Sequence, residues 1–262
     1  MINSVVHHVQ VIVNMSFTNK VVLITGGGSG IGAATAILFT REDAQVAIVG
    51  RIEEKLTKVA EECEKYGKRP LVIKADVSID EELNSIIDKT VTQYGKLDIL
   101  VNNAGITVLT KLLDADLVQN FDKIVKVNLR AIVSLSNKAA PHIINTKGSI
   151  INVSSILSTK VRGDQIIYGS LKAALDYFTR ASALDLAPYG VRVNAVNPGY
   201  TKTNLLNFFG QEDIWERLIP RIPLGKCAEA SEVGNMILYL ASDKAKSVTG
   251  STYVIDNGSM HM

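Results

Sequence analysis

An apolar run, Val21-Val22-Leu23-Ile24, passes directly into Thr25-Gly26-Gly27-Gly28-Ser29-Gly30-Ile31-Gly32, and that glycine-rich turn leads into an amphipathic stretch from Ile31 to Phe39. Few folds accept this succession. A short apolar run stopped by glycines reads as a strand buried on both faces, and the glycines let the backbone turn tightly and bring the next helix close to that strand. The same turn faces the positive end of the helix, where phosphate groups bind. A merely flexible turn does not account for five glycines at one strand-to-helix junction.

The unit recurs along the chain. Val46–Val49 is followed by a charged amphipathic helix from Ile52 to Tyr66, and Leu71–Ile73 by one from Glu81 to Tyr94. Leu97–Val101 reads as the fourth strand, after which two helical stretches lead through Phe121–Ala140 to the strand Ser149–Val153. A helix over Tyr168–Ala187 precedes Val191–Val196, and one over Ser231–Leu240 precedes Thr252–Ile255. Seven apolar strands alternating with helices predict an α/β fold: a doubly wound parallel sheet of Rossmann type, helices on both faces and right-handed crossovers. In 262 residues with 47% hydrophobic side chains there is material for a large core. No Pro-, Gly- or Ser-rich linker divides the chain, so one catalytic domain over residues 16–262 is expected.

Residues 1–15 read as a loosely ordered extension, with Met15 an alternative start. His7, His8 and Gln10 interrupt the valines there, the run is too short for a bilayer span, and no basic region precedes it as in a signal peptide. The His7-His8 pair lacks further ligands nearby, and no metal site is expected. A net charge of +2 without basic clusters gives no case for nucleic acid, and no membrane partner is expected. Cys63 and Cys227 stand far apart in no metal-like spacing, which suits free thiols in a reducing, cytoplasmic compartment.

Chemistry concentrates in Tyr168-Gly169-Ser170-Leu171-Lys172. On a helix, residues four apart share a face one turn apart. A phenol titrates near 10 and is a poor proton donor or acceptor at neutral pH, but an ammonium beside it favours the phenolate. The expectation is an acid–base pair with the Tyr168 pKa lowered; an ordinary surface pair has the same spacing. The second strand ends at Gly50-Arg51, where an acidic residue would bind the ribose hydroxyls of NAD. Arg51 instead suits a 2′-phosphate, unless Glu53 or Glu54 partners it. Asp76, followed by Val77, either accepts from an adenine amino group or caps the next helix. Asn102-Asn103-Ala104-Gly105 ends the fourth strand at the carboxyl edge, where ligands of such sheets bind.

Taken together, Thr25-Gly26-x-x-x-Gly30-x-Gly32, Asn102-Asn103-Ala104-Gly105, Asn128, Ser155, Tyr168-x-x-x-Lys172 and Pro198-Gly199 resemble the short-chain dehydrogenase/reductase family over about residues 18–258. The resemblance implies a nicotinamide cofactor and reversible oxidation of an alcohol to a ketone or aldehyde. It implies that Tyr168 is the acid–base group and that Lys172 lowers its pKa and binds the nicotinamide ribose. Ser155, thirteen positions before Tyr168, polarises the carbonyl, with Ser154 the competitor, and Asn128 holds a water of the proton relay. Thr25, Gly26, Ser29, Gly30, Ile31, Gly32, Arg51, Asp76, Val77, Asn103, Ala104, Gly105, Pro198, Gly199, Thr201 and Thr203 are the expected cofactor contacts. Ile106, Ser155, Ile156, Leu157, Gln165 and Tyr200 are the expected substrate pocket, with Arg162 a possible anion contact or a plain loop arginine. The apolar segment Leu205–Phe209 through Trp215 and Leu218-Ile219 resembles the family's mobile lid, or packs on the body.

The expected function is hydride transfer between NADP(H), with NAD(H) less favoured, and an apolar ketone or secondary alcohol of steroid, terpenoid, retinoid or acyl type. A catalytically silent NADP(H)-binding redox sensor or scaffold is the alternative, and a sugar epimerase or dehydratase the third. The family also implies a homotetramer or homodimer through helices near 112–142 and 166–188, the second carrying Leu171, Ala174, Leu175 and Phe178.

Overall fold

A computed structural model describes residues 15–203, 216 and 218–262. Seven strands, β1 (Val21–Thr25), β2 (Gln45–Gly50), β3 (Leu71–Lys74), β4 (Ile99–Asn102), β5 (Ser149–Val153), β6 (Arg192–Pro198) and β7 (Thr252–Ile255), form one sheet in the order β3-β2-β1-β4-β5-β6-β7. Every pairing is parallel. β1 lies between β2 and β4, so the chain builds outward to one edge and then to the other, and the crevice opens where β1 meets β4.

The pleat divides the core in two. Val21 and Leu23 face one side, packed under α3 (Asp80–Tyr94) and α5 (Ala131–Thr146). Val22 and Ile24 face the other, under α1 (Gly30–Arg41), α2 (Glu53–Glu64) and α7 (Ala230–Ala241). Between β4 and α5 runs α4 (Leu117–Val125), and α6 (Ile166–Leu186) joins β5 to β6.

Helix ends follow their caps. Asp80, Glu81 and Glu82 occupy the first turn of α3, where carboxylates meet the positive helix end, and Gly95 closes it at φ +79. Glu229 and Glu232 form a reciprocal capping box on α7.

Two expected boundaries shift for physical reasons. β4 starts at Ile99 because the Asp98 carboxylate, 2% exposed, accepts from the Val21 amide at 2.9 Å and pairs with Lys20 and Lys96. The helix expected through Phe121–Ala140 is interrupted by a π turn at Lys126–Arg130, and Asn128 sits at its centre. Such turns insert one extra residue and re-aim side chains. The extension over residues 1–14 and lid residues 204–215 and 217 lie outside the described residues.

Candidate active site

Thr25 is the joint of the crevice. Its hydroxyl accepts from the amides of Asn103 and Ala104, both at 3.0 Å, and Asn103 Nδ2 donates to the carbonyls of Thr25 at 2.8 Å and Gly26 at 3.2 Å. Glycine is required here. Gly26 has φ +66, and a Cβ on Gly32 would collide with the Gly26 carbonyl. Ser29 precedes α1 in extended geometry and its side chain makes no cap bond, so it leaves the amides of the first turn to other acceptors. This cradle fits a pyrophosphate: close backbone, no side chain in the way, and a helix N-terminus behind. Thr203 lies against Gly30, whose Cβ would stand 3.1 Å from the Thr203 methyl, so the loop after β6 closes over the turn.

α6 begins at Ile166, and Tyr168 and Lys172 fall on its buried face, 9% and 4% exposed. Lys172 Nζ donates to the Val153 carbonyl at 2.7 Å and lies 5.6 Å from the centre of the Tyr168 ring. Burial pulls the Lys172 pKa down to about 8, against the field of Asp176, which favours its charge. The expected lowering of Tyr168 is not what the fold produces. Burial pushes the phenol up to about 12, while a hydrogen bond with Ser155 pulls the other way. Desolvation outweighs that hydrogen bond, because the phenol lies in a low-dielectric pocket where its charged form is disfavoured.

Ser155 and Ser154 separate by partner. Ser154 Oγ lies 3.3 Å from the Lys172 carbonyl and is spent on the helix. Ser155 Oγ accepts from the Leu157 amide at 3.1 Å and meets the Tyr168 phenol, so Ser155 is the serine of the cluster. Asn128, fully buried, grips Ile106 from both sides: Oδ1 accepts from its amide at 2.9 Å and Nδ2 donates to its carbonyl at 2.8 Å.

Arg51 is 63% exposed, with its guanidinium 3.9 Å from the Asp76 carboxylate. Glu53 and Glu54 turn elsewhere, to Lys74 at 3.8 Å and Lys58 at 2.8 Å. Asp76 does not cap α3, whose N-cap is Ile79; its Oδ1 accepts from the Ser78 amide and hydroxyl, which keeps the Asp76-Val77 turn closed. A cavity of about 380 Å³ lies beside Arg51, lined also by Ser78, Ile106, Lys126 and Val127.

Beyond β6, Thr201 donates to the Gly199 carbonyl at 3.2 Å and bridges to Ala228. Close packing sets Gly199 against Asp256, where a Cβ would come within 2.6 Å. Ile156 is buried, while Ile106, Leu157 and Tyr200 are partly so. Gln165 is buried and accepts from the Thr107 hydroxyl at 3.1 Å, so its amide oxygen is already committed. Arg162 holds Asp164 in two contacts, at 3.0 and 2.7 Å, and reaches the Tyr200 hydroxyl at 3.5 Å.

Beneath these residues runs an amide network that spacing does not reveal. Asn102 Nδ2 donates to Asn152 at 2.9 Å, and Asn152 to Thr179 at 2.9 Å, stitching β4, β5 and α6 together under the crevice. Asn197, at the end of β6, donates to Asp176, Ser158 and the Ser155 carbonyl.

A parallel sheet with a phosphate-fitting turn at its switch point and a buried Ser–Tyr–Lys cluster at the same edge defines a dinucleotide-binding oxidoreductase. The comparisons narrow the class. The family model described as enoyl-(acyl carrier protein) reductase matches residues 26–260. A 3-oxoacyl-(acyl-carrier-protein) reductase of Thermotoga maritima is 36% identical over 248 residues, 93% of this chain and 99% of the relative. The meso-2,3-butanediol dehydrogenase of Serratia marcescens is 36% identical over 244 residues, 93% and 96% of the two chains. The crystal structure of a Brucella melitensis 3-ketoacyl-(acyl-carrier-protein) reductase complexed with NADH superposes at TM-score 0.85 and 33% identity, covering 94% of this chain and all of that one. The chain belongs to the short-chain dehydrogenase/reductase family of oxidoreductases.

Proposed function

We propose that the protein is an NADP(H)-dependent carbonyl reductase that converts a ketone to a secondary alcohol, with an apolar acyl ketone as the favoured substrate class. The observation that carries the reading is the Ser155–Tyr168–Lys172 cluster, buried at the carboxyl end of β5, the strand beside β4. The names of the relatives favour an acyl or small hydroxyketone substrate over a steroid, terpenoid or retinoid.

A bound nicotinamide supplies the hydride. This chain's residues hold and deliver the proton. With its pKa near 12 the Tyr168 phenol is fully protonated at neutral pH, a proton store placed to donate to a carbonyl oxygen as negative charge develops there. Ser155 is the second donor to that oxygen. Lys172, charged over most of its population at neutral pH, stabilises the phenolate left behind. Asn128 holds the Ile106 backbone, which shapes the pocket wall; the resemblance to the family assigns it a relay water as well. Thr25, Gly26, Ser29, Gly30, Ile31 and Gly32 would hold the pyrophosphate, Asp76-Val77 the adenine, Asn103-Ala104-Gly105 the ribose and nicotinamide side, and Pro198-Gly199, Thr201 and Thr203 the carboxamide end. The rival reading, a silent cofactor-binding sensor, needs the glycine turn but not the buried acid–base set.

NADP(H) is favoured by Arg51 and by Gly50 in place of a carboxylate. The ion pair with Asp76 is long and solvated, so a 2′-phosphate competes for the guanidinium on good terms. Oxidation of NADPH and NADH against acetoacetyl-CoA, diacetyl and a panel of apolar ketones tests both halves. The expected result is turnover of at least one acyl or vicinal ketone with higher kcat/KM for NADPH, and a loss of about ten- to hundredfold in NADPH affinity in Arg51→Ala. Equal or better kcat/KM with NADH refutes the cofactor assignment, and no turnover of any ketone favours the sensor.

A homotetramer or homodimer in the cytoplasm completes the proposal. Leu171 and Leu175 do not support it, since α6 buries both inside the subunit. The outward face instead carries Tyr177 and Leu184, 70% and 80% exposed, and Leu112, Leu113 and Val118 stand exposed before and on α4. Exposed apolar side chains on adjoining helices suit a self-complementary contact. Light scattering at micromolar concentration should give a dimer or tetramer; a monomer removes the idea. No helix among the described residues is long and apolar enough to cross a membrane, and Cys63 and Cys227 are both free and buried.

A further inference from the structure

Tyr168, Lys172 and Asp176 repeat at four-residue spacing along the buried face of α6, 9%, 4% and 5% exposed. A carboxylate this deep is costly unless it is paired or hydrogen-bonded. Asp176 Oδ2 accepts from Asn197 Nδ2 at 2.9 Å, while Oδ1 is buried with no partner. The same Asn197 Nδ2 lies 3.1 Å from the Ser155 carbonyl and 3.0 Å from Ser158 Oγ. Three acceptors therefore crowd one amide that has two protons. A half-satisfied polar group in a core calls for an explanation.

Among the described residues, the surrounding elements leave one cation to answer this carboxylate. The turn after β5 contributes Ser154, Ser155 and Ser158, and β6 contributes Asn197, none of them charged. The π turn carries Lys126 and Arg130, both exposed, and Arg130 is bonded to Asp80. At the other end of the sheet Asp98 is held by Lys20 and Lys96, and Arg192 donates to the Leu240 carbonyl at 2.6 Å. On the α6 face the ionisable groups are Tyr168, Lys172 and Asp176 alone.

We propose that Asp176 is a positioning residue of the catalytic site, which keeps Lys172 charged across one helical turn and, through Asn197, fixes the peptide that carries Ser155. The inference rests on the catalytic roles proposed above for Ser155, Tyr168 and Lys172. Both links act on groups that Asp176 does not touch: the field of its carboxylate opposes the desolvation of Lys172, and the amide of Asn197 passes its geometry to Ser155. The arrangement also accounts for the unpartnered Oδ1. Full neutralisation by hydrogen bonds would weaken the field that Lys172 feels.

The pH profile of kcat for NADPH-dependent reduction, with acetoacetyl-CoA and diacetyl as probes, separates this role from mere packing. In wild type the alkaline limb follows loss of the Lys172 proton. Asp176→Asn is isosteric and keeps the contact to Asn197, but removes the charge. It should move the alkaline limb about one pH unit toward acid, so that kcat falls about twofold at about pH 7 and about tenfold by about pH 9. The rise of Tm with pH that accompanies Lys172 deprotonation should begin about one unit lower as well. Asp176→Glu should recover kcat to within about threefold of wild type. Asn197→Ala should lower kcat about tenfold with the limb unmoved, since the carboxylate remains. A folded Asp176→Asn enzyme with wild-type kcat and limb overturns the proposal. If that variant does not fold, Asn197→Ala decides: unchanged kcat there overturns it equally. Near-wild-type turnover in Tyr168→Phe, or no turnover by wild type of these probes or of any ketone of the panel, would instead sink the catalytic reading on which the proposal stands.

Discussion

Lys172 and Tyr168 respond to burial in opposite senses, and stability should record both. The unfolded lysine titrates near 10.4 and the folded one at about 8, so between those values the unfolded chain binds more protons. Stability held back by this lysine is therefore fully missing below pH 8 and is recovered as pH rises toward 10. Tyr168 works the other way: folded at about 12 against about 10 unfolded, it loses stability above pH 10. Thermal melts of Lys172→Met should show the largest gain over wild type below pH 8, with the gain shrinking toward pH 10. A gain independent of pH contradicts a depressed lysine. The positions of Tyr168, Lys172 and Ser155 are legible in the sequence because helix spacing and the thirteen-residue interval locate them. The sense of the Tyr168 shift is not, since spacing shows the ammonium nearby but not the depth at which both groups lie. Asp176 escapes the same reading. One turn beyond Lys172 it looks like a surface acid, and only β6 laid across it reveals burial.

At the scale of elements, the β1–α1 turn carries the tightest steric demand. A methyl on Gly32 has the Gly26 carbonyl and Asn103 in its way, whereas on Gly28 it meets Lys55 Cβ at 3.4 Å and Leu56 at 3.6 Å, ordinary contacts. Gly32→Ala should therefore cost about 1–3 kcal/mol of overpacking, a fall of about 2–10 °C in Tm, and weaken NADPH binding at least about tenfold. Gly28→Ala should melt within about 2 °C of wild type. Equal melting of the two variants refutes the steric account. Glycine count and the strand before it make this turn readable from sequence. The π turn is not readable, because Phe121–Ala140 keeps a helical period throughout and the extra residue shows only in the backbone. The apolar side chains of α6 mislead for a related reason: Leu171 and Leu175 pack inward on the face that carries Tyr168 and Lys172, and the exposed face is made by Tyr177 and Leu184.

The whole molecule is a sheet whose strand order reverses at β1 and β4, and nearly everything proposed for function lies at that carboxyl edge. Strand number, parallel pairing and helices on both faces follow from apolar runs separated by amphipathic ones, so the architecture is legible from residues alone. The proposed substrate pocket is less so, since Gln165 and Arg162 have partners, Thr107 and Asp164, that emerge only in the fold. The account stands or falls on the proton donor placed at that edge. The deciding measurement is kcat of Tyr168→Phe at saturating NADPH with the best ketone of wild type, alongside the Kd of NADPH. The expected result is a loss of about a hundred- to ten-thousandfold in kcat with NADPH still bound. A variant that keeps more than about a tenth of wild-type kcat leaves too little for general acid catalysis by Tyr168, and contradicts the account.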